Sequence, residues 1–353
     1  LDAHLDRVCS RIMPLDEQAM AEARLRQDQL TKPTGSLGRL EDLSVLLAGI
    51  TGNAIPAFPG KAVTVMAADH GVTAEGVSAY PAEVTPAMVA NFAAGGAAIN
   101  AIARHVGARV VVTDVGVNAD LSALKGIRHR KVRLGTANMA EGPAMSREEA
   151  LRAIAVGLDL VEELVSEGIS MFATGEMGIG NTTAAAAVIA ALTGRPAAEV
   201  TGRGTGIAIE ALARKVAVVE RALAVNRPRA DDPVDVLAKV GGLEIAALAG
   251  VILGAAAART PVIMDGFISG AAALAAVRVC PAAAAYLLPS HLSAEPGHQV
   301  VLDELGLVPL FDLGMRLGEG TGAALAMSIL EAAVKTLAEM ATFESAGVAN
   351  RLE

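Results

Sequence analysis

The sequence contains no tryptophan, two tyrosines and six phenylalanines among 353 residues, so its high apolar content is carried chiefly by alanine. Bulky aromatic plugs cannot fill such a core. Alanine, small and with the best helix propensity, suits helices packed closely on a sheet. Long hydrophobic runs are also missing. The longest, residues 245–258, is too short and too rich in Ala and Gly to span a bilayer, with Glu244 and Arg259 at its flanks, and it reads as a buried helix. The opening residues, LDAHLDRVCSRI, are charged and amphipathic, unlike a secretory leader. Only two cysteines occur, Cys9 and Cys280, far apart and in no motif; they read as packing residues of a reducing cytoplasm rather than a disulfide. The six histidines show no metal-ligand spacing. A net charge of −9 argues against nucleic acid or an anionic membrane as partner, while leaving room for a local anion site built from backbone amides.

Short β-branched runs alternate with long Ala-rich stretches, which predicts an α/β fold: a Rossmann-like, mostly parallel sheet flanked by helices. The candidate strands are residues 62–67, 109–113, 131–134, 170–173, 261–264 and 284–288. Helical stretches at 86–105, 146–166, 182–192 and 270–279 lie between them. Residues 202–254 read as a helical excursion without a strand. The two ends fall outside the alternation and read as helix only, including 40–50. Neither end could bury its apolar face alone. Residues 1–55 and 321–353 are therefore expected to pair as a small helical domain beside a large α/β domain of 56–320.

One device recurs where chemistry could collect. A turn of small residues carrying a polar side chain opens directly into an Ala-rich helix: Gly175-Glu176-Met177-Gly178-Ile179-Gly180-Asn181-Thr182-Thr183, Gly202-Arg203-Gly204-Thr205-Gly206, Asp265-Gly266-Phe267-Ile268-Ser269-Gly270 and Gly318-Glu319-Gly320-Thr321-Gly322. Such turns offer unpaired backbone N–H groups and the positive end of a helix dipole, suited to phosphate or carboxylate. Glycine admits a ligand close to the backbone and tolerates positive φ. A single turn of this kind would merely connect a strand to a helix. Four in one chain, two with a Glu between glycines, point to function. None is a P-loop or a first-strand dinucleotide fingerprint. A serine-hydrolase reading of Ser290-His291 fails for want of a G-x-S-x-G elbow.

Glu176 and Glu319 are the acids of interest, because paired carboxylates suit chemistry at a sugar C1′: one steadies oxocarbenium charge while the other handles a proton. His70, in Asp69-His70-Gly71 at the end of the first strand, suits a structural and a functional role equally. Lys215, alone on a helix, reads as a solvated surface residue.

The chain resembles the nicotinate-nucleotide–dimethylbenzimidazole phosphoribosyltransferase family over nearly its whole length. The matching segments are residues 32–41 (KPTGSLGRLE), Ala68-Asp69-His70-Gly71-Val72, Asp114-Val115-Gly116, 175–183, Lys239-Val240-Gly241-Gly242, Asp265-Gly266-Phe267, 289–295 and Met315-Arg316-Leu317-Gly318-Glu319-Gly320. The resemblance implies transfer of ribose 5-phosphate from nicotinate mononucleotide to 5,6-dimethylbenzimidazole, giving α-ribazole 5′-phosphate and nicotinate in cobalamin lower-ligand assembly. It implies a cytoplasmic homodimer acting on small molecules, with neither metal nor organic cofactor. By the same resemblance Glu319 is the catalytic base and Glu176 an acid near the ribose. Gly178, Gly180, Asn181, Thr182, Thr183, Gly204, Lys215 and Ser293 would hold the donor, and Tyr80, Met88, Met315 and Leu317 would line the base slot. The chain departs from the family at that slot: Ala87 and Met88 stand in a segment where relatives commonly carry a Gln, and Tyr80 where a family pattern has a small polar residue.

Overall fold

The structure, a computed structural model, describes residues 2–204 and 206–349. Thr205 of the second Gly-rich turn and the extreme ends of the expected helical domain lie outside the described residues. Six parallel strands form one sheet in the order β3-β2-β1-β4-β5-β6: β1 Lys61–Ala68, β2 Arg109–Gly116, β3 Arg128–His129, β4 Met171–Met177, β5 Val262–Met264 and β6 Leu287–Pro289. β1 is buried at every residue, which explains why it reads as a continuous apolar run rather than an alternating one.

Before β1 lie α1 Asp2–Cys9, α2 Glu17–Gln29 and α3 Arg39–Thr51. Between β1 and β4 lie α4 Val84–Ala94, α5 Ala98–Val106 and α6 Arg147–Ser166. The excursion after β4 holds α7 Asn181–Thr193, α8 Ala197–Val200, α9 Ile209–Asn226, α10 Pro233–Val240 and α11 Leu243–Ala257. The remainder is α12 Phe267–Val279, α13 Pro296–Leu305, α14 Thr321–Glu339 and α15 Phe343–Ala346. α6 begins at a reciprocal cap in which Ser146 Oγ accepts the Glu149 amide at 3.2 Å and Glu149 Oε2 accepts the Ser146 amide at 2.8 Å. Its Gly157 meets α11 at Gly250 so closely that a Cβ on either would collide with the other helix's backbone carbonyls. The 245–258 run forms α11, buried in the core as expected.

Three local expectations are corrected. The helix expected over 86–105 is two helices, because Gly95 at φ 80° closes α4 before Gly96 and Ala97 restart the chain as α5. The edge strand expected at 131–134 forms at Arg128–His129 instead. Beyond it the chain still leans on β2 through Arg130 N–H to Asp114 O and Val132 N–H to Val115 O. There Lys131 turns its ammonium to the Val117 and Ala119 carbonyls, and Gly135, at φ 64°, donates its N–H to the Gly116 carbonyl at 2.9 Å. The strand expected at 284–288 begins only at Leu287, since Pro281 opens a 3₁₀ turn through Tyr286.

At the chain ends, α2, α3 and α14 share a small apolar cluster of Ala19, Ala23, Val45, Ala48 and Leu337. Arg26 ties α2 to the end of α14 by donating to the Leu337 and Ala338 carbonyls at 2.6 and 2.9 Å. Among the described residues two stretches, 84–106 and α14, have the length and apolar content of a membrane span. The first is the interrupted α4–α5 pair, and the second packs on α3, α5 and β4. The cysteines, unrelated in sequence, adjoin in the fold as free thiols; burial and the neighbouring Cys280 push the Cys9 thiol up to about 12.

Candidate functional site

All six strands run parallel, so their carboxyl ends share one edge, and the order reverses between β1 and β4. Ligands bind such sheets in the crevice outside that switch point. A cavity of about 680 Å³ opens there, lined on one side by Glu176, Met177, Gly178, Ile179, Asn181 and Thr182 from the end of β4 and the start of α7. The start of α12, residues of the 291–295 segment, residues 316–319, and Tyr80, Val84 and Met88 also line it.

The two singled-out acids come together. Glu176 ends β4, buried, and Asn181 Nδ2 donates to its Oε2. Its other oxygen lies against Gly318, where any side chain would collide with it. Burial, then the nearby carboxylates of Glu244 and Asp265, push Glu176 up to about 8. Glu319 is also buried in the wall, with Oε2 accepting the Ile99 amide at 3.2 Å. Burial raises its pKa above the ordinary Glu value, and the Ile99 hydrogen bond opposes the rise. Glu319 is one of three non-glycine residues with positive φ among the described residues, at 62°. That conformation costs roughly 1–2 kcal/mol for an L residue, and such strain collects where function requires it.

The donor-side residues are largely gathered. Gly178, Asn181, Thr182, Gly204 and Ser293 line the cavity, the first three at the N-terminus of α7, where amides and dipole favour an anion. Lys215 is not a surface residue: it is 1% exposed, and its Nζ donates to Thr182 Oγ1 at 2.8 Å. Burial pushes this ammonium down to about 8 despite Glu295 nearby. Gly180 and Thr183 lie just behind the wall; Gly180, at φ 94°, packs on Thr73 and His70. On the base side Tyr80, Met88 and Leu317 line the cavity, whereas Met315 does not, its carbonyl accepting the Ala294 amide at 3.1 Å.

Several lining residues escaped the sequence reading. Arg316 donates to the Gly204 carbonyl at 3.1 Å and brings a cation to the cavity lining. Glu295 Oε1 accepts the Gly204 amide at 2.9 Å and so fixes that turn. Ser269 Oγ, on the first turn of α12, has no protein partner among the described residues. His70 sits outside the cavity wall, its Nε2 2.7 Å from Glu244 Oε1. Burial disfavours the charged ring, yet the Glu244 carboxylate prevails and holds His70 above the ordinary imidazole value. Ser290 Oγ donates to the Asp265 carbonyl at 3.2 Å and sits 3.0 Å from His291 Nδ1. Among the described residues no three His, Cys, Asp or Glu side chains cluster as metal ligands.

Comparison with known proteins finds relatives over nearly the whole chain. The Phosphoribosyltransferase family pattern matches residues 12–348. Nicotinate-nucleotide–dimethylbenzimidazole phosphoribosyltransferase of Chloroflexus aggregans is 61% identical over 99% of this chain and 99% of its own. The protein of that name from Geobacter sulfurreducens is 57% identical over 98% of each chain. Among solved structures, CobT from Thermus thermophilus superposes with a TM-score of 0.91 at 51% identity, covering 95% of this chain and 100% of that one.

Proposed function

The chain belongs to the nicotinate-nucleotide–dimethylbenzimidazole phosphoribosyltransferase family, and we propose a division of labour among its cavity residues for moving ribose 5-phosphate from nicotinate mononucleotide to 5,6-dimethylbenzimidazole. The observation that carries the reading is the pair of buried acids, Glu176 and Glu319, facing one cavity beside a cationic helix N-terminus. Donor phosphate lies at the start of α7, against Thr182, the 178–181 amides and Lys215. A phosphate there favours the ammonium form that burial disfavours at Lys215. One ring nitrogen of the base attacks C1′ with its lone pair while the C1′–pyridinium bond breaks. Nicotinate leaves with that bonding pair and needs no proton.

The attacking base becomes cationic as the new bond to C1′ forms, so its remote N–H turns acidic, and Glu319 accepts that proton. A carboxylate raised by burial is better matched to this transfer than an exposed one. Glu176, pushed up to about 8 by burial, favours its protonated form at neutral pH. Positive charge on the donor favours its anion, which then steadies the sugar as C1′ opens.

Tyr80, Val84, Met88, Met177 and Leu317 make an apolar slot suited to a flat ring. Without an amide side chain from 87 or 88 to orient that ring, a second reading keeps the same transfer but a different acceptor: adenine, a phenol or a simpler benzimidazole. Incubation with nicotinate mononucleotide and these bases in competition, with nicotinate followed by chromatography and products by mass, decides between them. α-Ribazole 5′-phosphate is the expected main product. No nicotinate release with any base would reduce the chain to a nucleotide-binding protein.

We also propose the two-domain division at 56–320 and 1–55 with 321–353, supported by the α2–α3–α14 cluster, although α14 continues onto β4. A cytoplasmic setting is supported by two free thiols side by side, and cell fractionation tests it: recovery in a membrane or secreted fraction would reject it.

A further inference from the structure

Glu319 must hold a backbone conformation that its own turn does little to secure. It lies at φ 62° between Gly318 at 84° and Gly320 at 87°, three successive left-handed residues. Gly320 is the N-cap residue of α14 and has no side chain to offer the helix's first amides, which lack partners inside the helix. The acceptor comes from another strand. Asp265 follows β5 and is buried; its Oδ2 accepts the Gly320 amide at 3.2 Å and its Oδ1 the Ala323 amide at 3.0 Å. Asp265 is itself held, its N–H donating at 3.1 Å to Thr174 Oγ1 on β4, the strand that carries Glu176. Beneath the turn the Glu319 carbonyl lies over Gly175, where a Cβ would come within 2.5 Å of the oxygen. A local cap at position 320 is excluded, because a Cβ there would be strained and would meet Val63 and the Thr174 carbonyl at 2.5 and 3.0 Å.

We infer that Asp265 is the positioning residue for Glu319: its carboxylate, anchored between β4 and β5, caps α14 from outside and fixes the 318–320 turn so that Glu319 faces the acceptor base. The inference rests on Glu319 acting as the base, as proposed above. Asp265 therefore acts through Glu319, and its loss is felt in the chemical step more than in donor binding.

The test is a double-mutant cycle. Asp265→Asn keeps the size of the side chain but leaves one acceptor oxygen for two amides and turns an NH₂ toward the other. The expected kcat is about 10–100-fold lower, as for a displaced catalytic group, with KM for nicotinate mononucleotide within about two-fold. In a Glu319→Gln background the same substitution should cause almost no further loss, because the group it positions is already gone. Unchanged kcat in folded Asp265→Asn, or an equal fold-loss in both backgrounds, would overturn the inference. Full turnover by Glu319→Gln alone would instead remove the base reading beneath it. Asp265→Ser, smaller and without the opposing NH₂, repeats the measurement if Asp265→Asn does not fold. Failure of both to fold would assign Asp265 to stability alone and reject the positioning role.

Discussion

A carboxyl group's charge in this cavity depends on what surrounds it more than on its chemistry. Glu176, pushed up to about 8, keeps its proton in the folded protein over a range where the unfolded chain, titrating near 4.5, has lost it. The native state then binds more protons than the unfolded state, so stability falls as pH rises through that window. His70 acts in the same direction: its raised pKa lends stability below the ordinary imidazole range that is lost as pH climbs through its folded value. The thermal midpoint of the ligand-free protein is thus expected to drop from about pH 5 to about pH 8. Glu176→Gln should flatten much of that slope, since Gln cannot titrate; an unchanged slope would show that Glu176 ionises freely in the fold. Residue identities alone pointed to both acids, because glycines on either side mark a turn that admits a ligand. Lys215 was illegible without the resemblance: nothing along α9 shows that this one cation is roofed over and aimed at Thr182. The His70–Glu244 pair was hidden for a related reason, the partners being 174 residues apart.

At the scale of elements, small residues set how closely helices and strands approach. The alanine excess and the alternation of runs were enough to foresee five of the six strands near their true places and the buried α11. The sixth, β3, was misplaced because its pairing ends before Lys131, whose ammonium turns to the Val117 and Ala119 carbonyls, an effect of contacts with β2's end rather than of strand propensity. Glycine pairs decide two further cases. Gly95 and Gly96 divide one apolar stretch into α4 and α5, and Gly157 with Gly250 lets α6 lie against α11. Gly250→Ala would drive a methyl into the Ile154 carbonyl, which is backbone and cannot swing aside. Overpacking of this kind costs about 1–3 kcal/mol. Chemical denaturation should show that loss with kcat nearly unchanged, because the contact lies away from the cavity wall. A Gly250→Ala protein as stable as the parent would show that the two helices can part freely.

For the whole molecule, the parallel sheet brings glycine-rich turns distant in sequence to one edge. Residues of 175–183, 202–204, 265–270 and 318–322 gather at the carboxyl ends of β4 and β5 or beside them, which is why residues so far apart in sequence line one cavity. The rim of the cavity remains apolar and exposed at Tyr80 and Leu317. Such surface is compatible with the homodimer that the family resemblance implies, in which a second copy of the chain would shield it. Light scattering should give twice the mass of one chain at micromolar concentration, and a monomeric mass would reject the dimer.

In the proposed reaction Glu319 takes the proton from the attacking base. Glu319→Gln preserves the size of the side chain and a carbonyl oxygen able to accept the Ile99 amide, but it cannot accept that proton. Single-turnover release of nicotinate from bound nicotinate mononucleotide and 5,6-dimethylbenzimidazole measures the step directly. The expected rate is lower by about 10²–10⁴-fold, with the dissociation constant for nicotinate mononucleotide within about two-fold of the parent's. A rate equal to the parent's in a folded, donor-binding Glu319→Gln protein would contradict it.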